Sequence, residues 1–451
     1  MTSERAQGAR RPRISGLGLI LIATAVAGIA SYVVTWLVPR QIGFASYATF
    51  AVFWSFIYLL VGALSGIQQE VTRATGPRAQ GESSSSGRAA RFAAAAAGLV
   101  VTVILVTAFA WVLLVFPEQG WALVPPLAVG AASYVLVAVL CGSLYGLGQW
   151  RPLATITVTD ALLRLAGLGV ALLFTHDIVW LAWAVALPFP VTLILLWPFI
   201  RRTVAGRSEL DVGYAQLGRN SAHTILAAAA TGLMVSGFPL LLGVAARDEP
   251  ADVVGLYILS ITLTRAPLIV VLMSLQSYLV VSFRNSAGAF GRRLLLVLGV
   301  ILGAGLVLAV AGWLLGSTVF GLLFPGELVP EGWFLAVLVI SSMLVGALCV
   351  TGSAVLSRAH HAAYTGGWVS SALVTIAMLV LPVDITTKTI LALLVGPLAG
   401  LVVHGASLSA GRRTVRALRS STLRGPSRVR GYEDPGGLQS PRAYASSPRA
   451  Q

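Results

Sequence analysis

The chain reads as an all-α polytopic membrane protein with twelve transmembrane helices, arranged as two parallel six-helix lobes around a central cavity. Three observations predict this. First, 57% of its 451 residues are hydrophobic and only 10% are charged, with a mean hydropathy of +0.86, outside the range of a soluble globular domain. Second, it contains twelve continuous apolar runs of the roughly 20 residues that a helix needs to cross the hydrocarbon core. Third, the connections between these runs alternate in charge. A β-barrel would instead show alternating segments of about ten residues, and these runs are unbroken stretches of Ala, Leu, Val and Gly.

In chain order the spans are expected at 15–38, 46–67, 92–116, 122–146, 153–174, 178–199, 221–246, 254–282, 294–316, 332–356, 362–382 and 389–409. The first follows Arg5, Arg10, Arg11 and Arg13, as a signal peptide also would. It is longer than a typical signal core and eleven more spans follow, so it counts as a span. The stretch "PPLAVG" in span four and Pro188 and Pro190 in span six mark expected kinks. Cys141 and Cys349 each sit inside an apolar span with no metal-ligand spacing, and read as small buried hydrophobes. No metal, cofactor or catalytic residue is expected.

Of the 31 basic residues, all but Arg40, Arg164, Arg247, Arg265 and Lys388 fall in the N-terminal segment, the even-numbered connections or the C-terminal tail. The odd-numbered connections collect Glu118, Asp177, Asp248, Glu249, Asp252, Glu327, Glu331 and Asp384 instead. Basic residues resist translocation, so both termini are expected in the cytoplasm, in a multi-pass protein of a bacterial cytoplasmic membrane. The net charge of +15 is then a topology signal that favours anionic membrane lipids, not a nucleic-acid footprint.

The organisation follows from these boundaries: a basic cytoplasmic tail at 1–14, an N-terminal six-helix lobe at 15–200, a cytoplasmic inter-lobe loop at 201–220, a C-terminal six-helix lobe at 221–409, and a disordered cytoplasmic tail at 410–451 rich in Arg, Ser, Gly and Pro. "GESSSSG" at 81–87 reads as a flexible loop. The segment from Gly43 aligns weakly with the segment from Val253, 210 residues later, and Cys141 with Cys349 at a similar offset. An even number of spans per half gives the halves one orientation, as in transporters built from parallel repeats.

Two charges stand apart from the topology pattern. Arg164 lies near the middle of span five with Asp160 one turn earlier, and Arg265 lies in span eight with no acid within four residues. An ionised group at that depth costs several kcal/mol, on the order of 3, unless it pairs or meets water. Asp160 and Arg164 share a helix face at i and i+4 and can neutralise one another; Pro267 frees a carbonyl that can serve Arg265. The functional alternative is that both arginines line a central cavity and receive an anionic group, which the planar guanidinium suits. At the end of span two, Gln69, Glu70 and Arg73 crowd together: an ion pair at i and i+3, or an entry contact to a headgroup or sugar. Asp160 and Glu70 are the candidates for ion coupling. His360 and His361 read as solvated.

The stretches "IGFASYATFAVFWSFIYLLVGALSGIQQEVTRA", "GLGQWRPLATITVTDALLRLAG" and "VGLYILSITLTRAPLIVVLMSLQSYL" resemble the oligosaccharide-lipid flippase branch of the multidrug/oligosaccharidyl-lipid/polysaccharide flippase superfamily. The resemblance covers essentially all of the chain before the tail. It implies two lobes enclosing a cationic cavity that opens alternately to either side, and a polyprenyl-pyrophosphate-linked oligosaccharide, a cell-envelope polysaccharide precursor, as substrate. Arg164, Arg265, Gln69 and Arg73 are the expected substrate-binding residues, and envelope glycan synthesis enzymes the expected protein partners. Span one carries no acid, whereas drug-exporting relatives usually place one there, which disfavours drug export. A major-facilitator-like exporter of small solutes usually carries an acidic and basic signature between spans two and three, and it is missing here: 72–91 contains no Asp. A non-transporting scaffold for envelope polysaccharide synthesis would leave the cavity charges optional.

Overall fold

The computed structural model describes residues 16–77, 87–204, 208–210, 212–284 and 289–423. The basic segment at 1–14, the serine-rich loop apart from Gly87, and residues 424–451 of the expected tail lie outside the described residues. Residues up to Ser407 belong to one compact unit and those from Leu408 onward to a second.

Among the described residues the fold is all-helical but for one pair of three-residue strands. Helix α1 (Gly16–Ala74) runs through both of the first two expected spans. Its single break is Gly43, at φ 73° and ψ 164°, a backbone region that only glycine enters without strain. The connection expected between spans one and two is therefore one residue. The second arm also outruns its expected end by seven residues, so Gln69, Glu70 and Arg73 sit on its last turns. Strand β1 (Thr75–Pro77) follows and pairs antiparallel with β2 (Ser208–Leu210). The strands arise where Pro77 forces the preceding residue out of helical geometry.

Helix α2 (Arg88–Val115), a 3-10 turn (Gly120–Leu123) with α3 (Val124–Gly146), and α4 (Trp150–Phe174) match spans three to five. Pro125 and Pro126 occupy the first turn of α3, where a missing N–H costs nothing. They start a helix and do not kink one, contrary to the sequence expectation. Span six does break: α5 (Ile178–Ala186) ends at Leu187 and α6 (Pro188–Val204) begins, because Pro188 and Pro190 lack the N–H groups that would continue the ladder.

The second half opens with a broken pair, α7 (Tyr214–Val235) and α8 (Phe238–Ala245), bent by 67°. Helices α9 (Ala251–Arg284), α10 (Phe290–Leu323), α11 (Gly332–Leu356), α12 (His361–Leu379) and α13 (Ile385–Leu423) complete the order. Helices α6 and α7 shorten the expected inter-lobe loop from both ends. Helix α13 covers 410–423, where the sequence reading expects disorder; no Gly or Pro lies between Arg412 and Arg424 to end it. Among the described residues nine helices are long and apolar enough to cross a membrane, or ten with the bent pair as one span. Since α1 covers two expected spans and α9 a third run, this is consistent with twelve.

Contacts divide the connections between two faces. On the basic face β1 meets β2, Gly16 abuts Trp150, and the Arg358 guanidinium lies over the Phe290 ring at 4.1 Å. On the acidic face, Arg40 Nη1 donates to the Leu323 carbonyl at 3.2 Å and Lys388 Nζ to the Ala245 carbonyl at 2.9 Å. Leu323 and Ala245 are the last residues of α10 and α8, so each cation caps carbonyls that lack an intrahelical partner. Two of the three cations on the face expected to be acid-rich thus have a local structural reason to be there.

Candidate functional site

The same device recurs inside the bundle. Arg164 on α4 is buried, and its Nε donates to the Val185 carbonyl at 3.3 Å, one residue before the end of α5. Its terminal nitrogens grip Asp160 at 2.8 and 3.0 Å, and the guanidinium lies over the rings of Phe189 (4.7 Å) and Tyr58 (5.6 Å). Such a site satisfies the charge on all sides.

Arg265 on α9 is also buried, at 4% exposure. Its Nη2 donates to the Met234 carbonyl at 3.3 Å, one residue before the end of α7, and its guanidinium lies 5.6 Å from the Phe238 ring that opens α8. Each arginine therefore caps a helix broken at mid-bundle and rests on the phenylalanine just past the break. The difference is charge balance: among the described residues no carboxylate pairs with Arg265, and its Nε has no hydrogen-bond partner.

Three contiguous cavities surround these groups. One of about 350 Å³ is lined by Arg164, Asp160, Tyr134 and Gln68. The next, about 280 Å³, is lined by Arg265, Tyr32, Tyr47 and Thr262. Ser31, Val34, Trp54 and Tyr58 belong to both walls. The Tyr32 hydroxyl, like Arg265 Nε, is buried without a partner among the described residues. Two orphaned donors on one cavity are what an acceptor-rich, anionic ligand would satisfy. The third cavity, about 330 Å³, shares Val235 and Ser236 with the second and is lined by Gln69, Gln276, Ser65 and Tyr364, with no charged side chain.

The predicted residues thus divide. Arg164 joins Asp160, and Arg265 lies across a shared wall from them. Gln69 lines the uncharged cavity, whereas Glu70 and Arg73 form a pair at 2.7 Å outside all three. Glu70 also accepts from Asn220 Nδ2 of α7 at 2.8 Å, so it ties α1 to α7 on the basic face. His360 and His361 are exposed, and Cys141 and Cys349 buried. Among the described residues no cluster of His, Cys, Asp or Glu could hold a metal ion.

Two seams join helices on either side of the cavities. Toward the basic face, Thr224 Oγ1 of α7 donates to the Gly66 carbonyl of α1 at 2.8 Å. Toward the acidic face, Phe44 of α1 packs edge-on against Phe320 of α10 (6.1 Å) and Phe324 just past its end (5.8 Å), with its carbonyl against Gly255 of α9. Between them Ser55 serves the α7–α8 break: its hydroxyl donates to the Ser236 carbonyl and accepts from the Leu240 N–H at 3.2 Å.

Sequence reasoning missed Trp54, Tyr58, Tyr32, Ser55 and Gln276. Only the first two carried a signal, as Phe50, Trp54 and Tyr58 recur every four residues and pack in series at 5.9 Å (tilted) and 4.9 Å (stacked).

Comparison with known proteins sets this geometry in a family. No family model matches the chain. Two uncharacterized proteins of Mycobacterium tuberculosis are each 32% identical to it, over 391 and 389 residues, covering 86% of this chain and 90% of their own length. A protein of Mycobacterium bovis, likewise uncharacterized, is 32% identical over 391 residues with the same coverage. The chain belongs to the family of these mycobacterial proteins. Among solved structures, an inward-facing multidrug resistance MATE family transporter of the MOP superfamily aligns over 89% of this chain and 99% of its own, at a TM-score of 0.64 and 14% identity. The lipid II flippase MurJ, in an inward closed conformation, aligns over 87% of each chain at a TM-score of 0.61 and 12% identity. The fold is therefore that of the multidrug/oligosaccharidyl-lipid/polysaccharide flippase superfamily, a fold of membrane transporters and flippases.

Proposed function

We propose that this protein flips a polyprenyl-pyrophosphate-linked oligosaccharide, a cell-envelope polysaccharide precursor, from the cytoplasmic to the outer leaflet of a bacterial cytoplasmic membrane by alternating access. The observation that carries the proposal is Arg265: a buried guanidinium with no acid beside it, an unpartnered Nε, and the unpartnered Tyr32 hydroxyl on the same cavity. A pyrophosphate supplies the acceptors these donors lack, and Arg presents them in a fixed fork. The adjoining cavity of Gln69, Gln276, Ser65 and Tyr364 suits sugar hydroxyls, which need donors and acceptors but no charge.

In this reading Arg164 is a structural group, held by Asp160, whose wall residues Trp54 and Tyr58 also face the anion. The halves at 15–200 and 221–409 act as the two lobes, both termini are cytoplasmic, and envelope glycan synthesis enzymes deliver the substrate. The polyprenyl chain stays in lipid while the polar headgroup crosses shielded by protein. Drug export fits less well: a cationic drug would meet Arg265, and span one offers no acid.

The test is reconstitution in vesicles with a fluorescent polyprenyl-pyrophosphate sugar, assayed leaflet by leaflet. Protein-dependent translocation is the expected result. Transport of a soluble sugar or a drug in its place would overturn the reading in favour of a small-solute exporter, and no transport of any of them would favour a scaffold.

A further inference from the structure

His404 on α13 is fully buried, in a slot that neighbouring glycines make possible. A Cβ on Gly367 of α12 would overlap its Nε2, and one on Gly352 of α11 would stand 3.4 Å from its Cε1. The ring lies parallel to Tyr364, 5° between planes and 6.4 Å between centroids. Its Nε2 is 3.3 Å from the Tyr364 carbonyl and its Nδ1 is 3.0 Å from Thr351 Oγ1.

The partners define what protons the ring can hold. A carbonyl only accepts, so Nε2 carries a hydrogen. Thr351 is different, because its hydroxyl also reaches the Ala347 carbonyl at 2.9 Å. With the ring neutral, the hydroxyl can donate to Nδ1. With the ring protonated, Nδ1–H donates to the hydroxyl oxygen, which turns its own hydrogen to Ala347. One O–H rotation keeps both protonation states hydrogen-bonded, which a histidine fixed between two carbonyls would not allow.

The surroundings decide what the extra charge does. Facing the ring are Thr351 and Gly352 of α11 and Tyr364 and Gly367 of α12, with Gln276 of α9 behind Tyr364. Tyr364 is the titratable group among them; His360 is paired with Ser407 at 2.9 Å nearer the basic face. Among the described residues no carboxylate faces the ring, so an imidazolium there is uncompensated. By contrast, Asp160 and Glu70, the acids expected to couple an ion, are each held by an arginine. The Tyr364 hydroxyl accepts from Gln276 Nε2 at 3.3 Å, and both residues line the uncharged cavity between α1, α7, α9 and α12.

We propose that His404 is a proton-binding site that sets the conformation of α11–α13 and, through Tyr364 and Gln276, the shape of the neighbouring cavity. One proton from solution at the basic face adds to Nδ1, the Thr351 hydroxyl turns to Ala347, and no other bond changes. The neutral ring stabilises the closed slot. The cation favours a conformer in which the slot opens to water or an acid, so that protonation drives the motion.

The full-length protein in lipid nanodiscs tests this without any transport substrate, and so separately from the flippase reading. Histidine-labelled protein, which has five imidazoles, is titrated by NMR, with His404→Gln assigning the signal. Spin labels on Arg151 of α4 and Ala362 of α12 report the spacing across the basic face. The expected result is a His404 signal that titrates, a spacing change over the same pH range, and a spacing independent of pH in His404→Gln. Thr351→Val, which removes the acceptor for Nδ1–H, is expected to move the His404 titration to lower pH. A His404 signal that does not titrate while the protein stays folded, or a spacing that responds to pH equally in His404→Gln, overturns the proposal. If His404→Gln fails to insert, Thr351→Val decides, and an unchanged midpoint overturns it.

Discussion

Asp160 accepts from both terminal nitrogens of Arg164, at 3.0 and 2.8 Å, one turn apart on α4, and this pairing separates the two buried arginines. Arg164 is bound to its own helix's acid, to the Val185 carbonyl and to two aromatic faces. Arg265 has a carbonyl, one ring and, among the described residues, a buried Nε without a partner. A buried guanidinium already satisfied on every side adds little to a ligand; one with a donor to spare can add a great deal.

The pair should therefore behave as a unit. Arg164→Gln strands a carboxylate at mid-membrane, and removing one partner of a buried pair costs about 3–5 kcal/mol. Asp160→Asn combined with Arg164→Gln removes both charges and should recover most of that loss. Thermal unfolding of both single variants and the double variant in nanodiscs forms the cycle. Additive losses would mean the two groups are not coupled, against the geometry.

Arg265 should behave in the opposite way. Arg265→Gln is expected to keep insertion and abundance while weakening translocation of a polyprenyl-pyrophosphate sugar by about 10–100-fold, the worth of one charge-assisted hydrogen bond. Arg265→Lys should recover only part of it, because an ammonium cannot reach the substrate and the Met234 carbonyl in the same fork. Leaflet-resolved transport at matched protein density measures both. Parental rates in Arg265→Gln would remove this residue from the substrate path.

Much of this was legible in the sequence, and the reasons it stopped where it did are physical. Span positions follow from apolar run length, and the alternation of basic and acidic connections from the cost of moving Arg across a bilayer. The ion pair of Asp160 with Arg164, and that of Glu70 with Arg73, could be read from i, i+4 and i, i+3 spacing. Tertiary partners could not. Val185, Met234, Leu323 and Ala245 supply only backbone carbonyls, and a carbonyl leaves no trace in composition. Pro188 announces the break in span six. Gly237 and Pro239 mark the break between α7 and α8 in the same way, but nothing in the sequence shows that Ser55, far away on α1, satisfies the groups it exposes. The Gly43 break was read as a loop because a single residue in an unusual conformation looks no different, in a hydropathy window, from a short connection.

Ser55 gives a prediction of its own. Ser55→Ala leaves the Ser236 carbonyl and the Leu240 N–H without their shared partner, a cost of about 1–3 kcal/mol for buried groups. Ser55→Thr, which keeps the hydroxyl, should cost less. Unfolding temperature in nanodiscs reports the stability, and hydrogen exchange at 236–240 reports the local opening. Equal protection of those amides in the alanine variant would show that the break is held by packing alone.

The two seams predict opposite conformational biases from equally small changes. At Gly66 an added Cβ would overlap the Ile225 nitrogen and stand 2.5 Å from the Thr224 carbonyl carbon, so α1 and α7 must part toward the basic face. At Gly255 an added Cβ would overlap the Phe44 carbonyl oxygen and stand 2.8 Å from its carbon, so α1 and α9 must part toward the acidic face. Backbone cannot yield as a flexible side chain does, and overpacking of this kind costs about 1–3 kcal/mol. Spent on a seam rather than a core, that energy shifts a two-state equilibrium by about 5–150-fold toward the state in which the seam is open. Gly66→Ala should thus raise the reactivity of a cysteine placed at Gln69 toward a water-soluble maleimide added on the basic side. Gly255→Ala should raise that of a cysteine at Tyr47 toward the same reagent on the acidic side. Each substitution should lower reactivity at the other's reporter, because one rocking motion opens one seam as it closes the other. If both substitutions increase labelling at both reporters, the helices are loosening locally and the two seams are not alternating gates.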